Sequence, residues 1–199
     1  MDGTLIDSGD VITNTINFVR TNIGLEPMEK STLLTQLNNP DINAADFFYG
    51  TSEFTDQQTE LFTQYYDKHC ISDIVLYNGI KELLEELSSK FTLSLATNAS
   101  VQFANKMLKH LDIYKYFSFT IGACSVDKPK PAPDMILKTL QELKTNPQDA
   151  ILVGDSHKDK NAAIAANINY ILVNWGFTKH NDNNIIKTTD ELRLTLIHQ

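Results

Sequence analysis

The sequence predicts an α/β fold: a parallel sheet with helices on both faces, interrupted near its start by a helical insertion. Three observations carry this expectation. From about residue 77 onward, short apolar strand-like runs alternate with amphipathic helical faces. From about residue 13 to 76 the chain keeps helical character and shows no strand-like run. Each cluster of chemically suggestive residues falls just after an expected strand or where one should be, and ligands of parallel sheets gather at such ends.

The elements follow in order. Asp2-Gly3-Thr4-Leu5-Ile6-Asp7-Ser8 reads as a loop, with Ser8 or Asp10 placed to cap the next helix. Ile12, Ile16, Val19 and Ile23 recur at helical spacing, and Gly24 is a stop signal. Up to about Ile74, residues such as Phe47, Phe48, Leu61, Phe62 and Tyr65 sit among polar ones, as in a small helical bundle. Tyr77-Asn78-Gly79 is a turn, and Ile80, Leu83, Leu84 and Leu87 form a helix face. Strands are expected over 91–96, 117–121, 150–153 (buried) and 170–173. Helices are expected at Phe103-Met107-Leu108-Leu111, over 135–143 and over 161–166. Thr188 and Glu191, at capping-box spacing, open a last one. The core is thus expected over residues 1–12 and 77–199, and a helical cap over 13–76.

Composition narrows the function classes. With 42% hydrophobic and 21% charged residues, the 199-residue chain can bury a sizeable core. A net charge of −8 argues against a nucleic-acid or membrane-surface binder, which would present a basic face. No run reaches the length of a membrane span and no signal segment opens the chain. The two cysteines, Cys70 and Cys124, lack metal-ligand spacing and read as reduced thiols, so a cytoplasmic protein is expected.

Four clusters carry chemistry. Gly154-Asp155-Ser156-His157-Lys158-Asp159 follows a strand, and its two carboxylates could hold a hard divalent cation, although an aspartate there also serves as a helix cap. Lys128-Pro129-Lys130-Pro131-Ala132-Pro133 is a proline-stiffened segment able to hold an ammonium against phosphoryl charge, or else a solvated linker. Thr97-Asn98 ends a strand and offers a hydroxyl and amides to an oxyanion, or is simply a turn. Asp2-Gly3-Thr4 supplies a carboxylate, a glycine and a hydroxyl in three residues.

Together and in order, these clusters resemble the haloacid dehalogenase-like hydrolases, most of all their phosphoglycolate phosphatase group. That pattern is Asp-x-Asp-Gly-Thr, a strand-end Thr or Ser, Lys-Pro-x-Pro, then Gly-Asp-x-x-x-Asp. Here it is met by Met1-Asp2-Gly3-Thr4 in part, Thr97, Lys130-Pro131-Ala132-Pro133 and Gly154 to Asp159. The resemblance implies a Rossmann-like parallel sheet with an inserted α-helical cap that closes over the substrate. It implies Mg2+-dependent hydrolysis of a small phosphorylated, phosphoglycolate-like metabolite through an aspartyl-phosphate. Asp2 would protonate the leaving oxygen, activate water and lend its backbone carbonyl to the metal. Asp155 would ligate the metal, and Asp159 would support the metal's waters or orient the lysine. Thr97 and Asn98 would hold phosphoryl oxygens, and Lys130 would neutralise charge. An acid at Asp2 favours phosphate chemistry over halide displacement, which needs none.

Two departures bear on this. Lys128 also fits Lys-Pro-x-Pro; Lys130 is preferred because Asp134-Met135-Ile136 then continues into a helix. Met1 occupies the x between the pattern's two aspartates, so the nucleophile would lie just before it. The strand leading to that nucleophile, set between those ending at Thr97 and Gly154, is missing too. Expected consequences are a gap or substitute segment there, inactivity of the 199 residues alone, and upstream codons for an apolar run of about five residues ending in Asp. The alternatives are a phosphomutase of the beta-phosphoglucomutase type, or a non-catalytic phosphate-binding protein if Met1 is the true start. The expected partner is a small phosphorylated substrate, with no nucleic acid or membrane, and the chain a monomer or homodimer. Arg20, Lys30 and Lys68 of the insertion are candidates to meet a substrate anion, or else ordinary surface cations.

Overall fold

The computed structural model describes residues 1–39, 41–180 and 185–197. After strand β1 (Ile6–Asp7), four helices follow without a strand between them: α1 (Gly9–Asn22), α2 (Lys30–Leu37), α3 (Ala44–Tyr49) and α4 (Asp56–His69). Strand β2 (Val75–Leu76) closes this stretch by pairing antiparallel with β1, Ile6 opposite Leu76 and Asp7 opposite Val75. This two-residue ladder ties together the two ends of the helical stretch. Residues 2–8, a loop by sequence, hide β1 because two residues are too few for any periodicity. Helix α1 runs unbroken across the expected junction between residues 12 and 13.

The insertion's helices have local causes. Ile12, Ile16 and Val19 bury one face of α1, which packs against α4. Asn43 caps α3 by accepting from the Ala45 and Asp46 amides, and Gly50 ends it in the left-handed conformation. Thr55 and Gln58 form a reciprocal capping box at the start of α4.

The rest alternates as expected: α5 (Ile80–Ser88), β3 (Leu93–Thr97), α6 (Val101–His110), β4 (Phe117–Gly122), α7 (Asp134–Leu143), β5 (Ile151–Gly154), α8 (His157–Ala165), β6 (Asn169–Leu172) and α9 (Thr189–Ile197). Strand β3 pairs parallel with β4, and β5 parallel with β6. Helix α8 ends at Asn167, whose φ of 56° is the left-handed conformation that asparagine tolerates. Thr188 accepts from the Glu191 amide ahead of α9, while Glu191 reaches back to the amide of Lys187.

Strands β3 and β5 do not pair with each other. A cavity of about 880 Å³ lies along both, lined by Leu95 and Ala96 on one side and Leu152 and Val153 on the other. The expectation of a buried strand over 150–153 therefore needs correcting. Ile151, Leu152 and Val153 are only half-buried, because one edge of β5 opens onto this groove rather than onto a neighbouring strand.

Candidate active site

Asp2, Thr97, Asn98, Lys130, Asp155 and Asp159, drawn from four separate stretches of chain, all line one cavity of about 510 Å³. The C-terminal ends of β3 and β5 form its floor and the insertion's helices its opposite wall.

The lysine is the best determined member. Lys130 is 7% exposed, and its ammonium donates to Asp159 Oδ1 at 2.7 Å and to the Ala96 carbonyl at 2.7 Å. Lys128, the other lysine that fits the motif, is exposed. Asn98 grips the Lys130 peptide at both ends, its Nδ2 donating to the Lys130 carbonyl at 2.8 Å and its Oδ1 accepting from the Lys130 amide at 3.1 Å. The Asn98 side chain therefore positions the lysine, and only its backbone amide is left to meet a phosphoryl oxygen. The Thr97 hydroxyl, 3% exposed, accepts from the Ala99 amide at 3.2 Å.

Asp159 is fully engaged. Its Oδ2 accepts from the Ser156 amide and hydroxyl, completing the capping box that starts α8, while Oδ1 holds Lys130. Burial pushes its carboxyl up, but the Lys130 charge and the bonds from Lys130 and Ser156 outweigh that, leaving it below the usual range. Gly154 makes this approach possible: a Cβ there would lie 2.4 Å from Asp159 Cγ.

Asp155 is 2% exposed, and burial, then the charge of Asp159, push its carboxyl above the usual range. Thr4 Oγ1 donates to it at 3.2 Å, Asn38 Nδ2 at 3.3 Å and the Phe177 amide at 3.2 Å. His180, itself buried, places Nε2 at 2.8 Å from the Asp155 carbonyl oxygen. Gly3, at φ 73°, passes so close that a Cβ would meet Asp155 Oδ2 at 2.2 Å. Asp2 accepts from the Ser8 hydroxyl at 2.5 Å. Ser8 does occupy the N-cap position of α1, but its hydroxyl makes no cap bond and is spent on Asp2 instead.

Ser8, Asn38, Phe177 and His180 carried no sequence signal for this role. Each reads locally as a cap, turn or loop residue, and Asn38 and Phe177 reach Asp155 from 117 and 22 positions away. Arg20 donates to the carbonyls of Glu26 and Phe48, and Lys30 pairs with Asp10 at 2.6 Å. Neither these two nor Lys68 lines the cavity.

Among the described residues, no group of three or more His, Cys, Asp or Glu side chains is arranged to hold a metal. Magnesium does not require one. It is held by one or two carboxylates together with waters and substrate phosphate oxygens. A desolvated carboxylate beside a second negative charge, as at Asp155, gains from a cation, so the donor set fits that ion.

The family model described as haloacid dehalogenase-like hydrolase matches residues 1–173. A phosphoglycolate phosphatase of Aquifex aeolicus is 30% identical over 182 residues, which span 91% of this chain and 85% of the relative. One from Psychrobacter arcticus is 28% identical over 192 residues, 91% of this chain and 84% of the relative. Among solved structures, a haloacid dehalogenase-like family hydrolase of Streptococcus pneumoniae superposes with a TM-score of 0.83 at 27% identity, covering 100% of this chain and 95% of its own. No helix among the described residues is long and apolar enough to cross a membrane.

Proposed function

The chain belongs to the haloacid dehalogenase-like hydrolase family, and from that premise we propose that it is a phosphomonoester hydrolase acting on a small phosphorylated metabolite. One observation carries the reading: Asp2, Thr97, Lys130 and Asp155 converge on a single cavity, with the lysine locked by Asp159 and Asn98.

In this reading the phosphoryl group sits over the end of β3, where the Thr97 hydroxyl and the Asn98 amide face its oxygens. The Lys130 ammonium spreads its positive charge over that group as negative charge develops in the transition state. Asp2, held in one orientation by Ser8, gives a proton to the leaving oxygen and later takes one from the attacking water. Magnesium would be held by Asp155 and the backbone carbonyl of Asp2, and when bound it neutralises phosphoryl charge. Asp159 is assigned to the lysine rather than to the metal, because its charge is already paired with the Lys130 ammonium, whereas Asp155 meets only neutral donors.

The remaining requirement is an attacking carboxylate. Asp2, Asp155 and Asp159 are all committed, so the reading puts the nucleophile at the position before Met1. Met1 is itself buried and lines the same cavity as Asp2, Lys130, Asp155 and Asp159. Turnover through an aspartyl-phosphate then needs that upstream residue, and the 199 residues alone are expected to be inactive. The names of the relatives make phosphoglycolate the first substrate to try. The reading also places the protein in the cytoplasm, in keeping with the free thiols of Cys70 and Cys124.

The test is phosphate release from a generic aryl phosphate by a chain extended upstream with an apolar run ending in Asp. Magnesium-dependent release that Asp155→Ala abolishes is expected. Normal turnover in Asp155→Ala would overturn the assignment.

A further inference from the structure

We infer that the organic half of the substrate is an uncharged, mainly apolar group, aromatic or branched aliphatic, held by the insertion's wall of the cavity. This rests on the phosphatase reading above and adds the substrate class to it.

The observation is a segregation of charge across one cavity. Its charged lining residues are Asp2, Lys130, Asp155, Lys158 and Asp159, all from the sheet side. Among the described residues, those of 9–69 that line it include not one charged side chain. Their wall is Ile12 and Ile16 of α1, Phe48 of α3, Phe54 of the following loop, and Phe62 and Tyr66 of α4. Phe54 is 54% exposed at this lining, an aromatic ring left in water unless something apolar covers it.

The polar atoms on that wall are neutral. Burial holds the Tyr66 phenol well above its usual range, and pushes that of Tyr49 up to about 12 against the pull of Arg20. Both stay protonated at physiological pH. The Tyr66 hydroxyl's partner among the described residues is the weak acceptor Met107 Sδ at 3.7 Å. Thr59 and Thr63 add hydroxyls on the same wall.

A short hydroxy acid such as glycolate would put its carboxylate against this surface, to which the described residues of 9–69 contribute no lining cation. Lys130 is taken by Asp159 and the phosphoryl group; Lys158, the one other cationic side chain among the described lining residues, is drawn to the Leu37 carbonyl at 3.1 Å, beside Asn38. An unpaired charge loses its hydration there without return, whereas an apolar group gains by leaving water.

Calorimetric titration in magnesium of the chain extended upstream by the apolar run ending in Asp, with benzylphosphonate, phosphonoacetate and inorganic phosphate, tests this. Benzylphosphonate is expected to bind about tenfold or more tightly than phosphonoacetate. Thr63→Lys, which adds a cation on an exposed turn of α4 beside the wall, should narrow or invert that ratio. Equal or tighter binding of phosphonoacetate to the unaltered chain, with phosphate binding intact, overturns the apolar reading and leaves the phosphatase standing. A ratio that Thr63→Lys does not move overturns the role of this wall. Failure of all three ligands to bind overturns the phosphatase reading, and this inference with it.

Discussion

Replacing Lys130 with alanine strands a buried carboxylate, and the cost can be worked from the structure. Asp159 and Lys130 have side-chain exposures of 10% and 7%, with 2.7 Å between Nζ and Oδ1. Removing one partner of such a pair leaves an uncompensated charge and costs about 3–5 kcal/mol. For a chain of this length that corresponds to a fall in Tm of about 6–20 °C. The loss should be read at pH 7 by urea denaturation followed through Trp175, the single tryptophan. The exposed Lys128, changed to alanine, should stay within about 0.5 kcal/mol of the parent. The pH dependence has a definite sign. In the parent, Asp159 titrates below its unfolded value, so its ionisation contributes stability above about pH 4 that is lost as pH falls through the folded value. In Lys130→Ala burial loses its main opponent and the folded value rises. The penalty then fades once Asp159 protonates, so the gap between parent and variant is widest near pH 7 and narrows toward pH 4. The double variant Lys130→Met/Asp159→Asn should lose about 1–3 kcal/mol less than the sum of its singles. A Lys130→Ala protein within about 1 kcal/mol of the parent at pH 7, or a gap that fails to narrow in acid, would refute the reasoning.

Three further outcomes are expected. An upstream extension of about five apolar residues ending in Asp should fill the groove between β3 and β5 and pair with both; at about 0.5–1.5 kcal/mol net per hydrogen bond it should raise Tm by several degrees in a thermal melt. An unchanged melt would show that the groove does not accept a strand. Gly154→Ala should force Asp159 away from Lys130 and cost about 1–3 kcal/mol in urea unfolding, and a silent substitution would mean that the capping box is not held as described. Cys124, exposed, should react with a thiol reagent in the folded protein, whereas Cys70, fully buried with its thiol pushed up by desolvation, should react only on unfolding; equal rates would contradict that burial.

The parts of the fold legible in the sequence are those with a local cause. Apolar periodicity located α1 through Ile12, Ile16 and Val19, and strands β3 to β6 to within a residue or two. Thr188 with Glu191 announced α9, and Asn167 stood where a left-handed residue ends α8. The β1–β2 ladder was invisible because two residues carry no period and their pairing joins positions that lie 70 apart at Ile6 and Leu76.

The same division runs through the site. By itself the sequence determined the α/β alternation and, through four motifs in the family's order, offered Asp2, Thr97, Asp155, Asp159 and a lysine as site residues. It favoured Lys130 over Lys128 only through the Asp134-Met135-Ile136 that follows, because two lysines on one proline-stiffened segment differ in which of them turns inward. Tertiary structure buried one against Asp159 and left the other in solvent. It also closed the Asn98 side chain as a clamp on the lysine peptide, moved the Ser8 hydroxyl from helix cap to Asp2, and set Asn38 against Asp155. The physical reason is that a hydrogen bond depends on where two atoms meet in space. For side chains far apart in the chain, that meeting is fixed only once the helices and strands between them have packed.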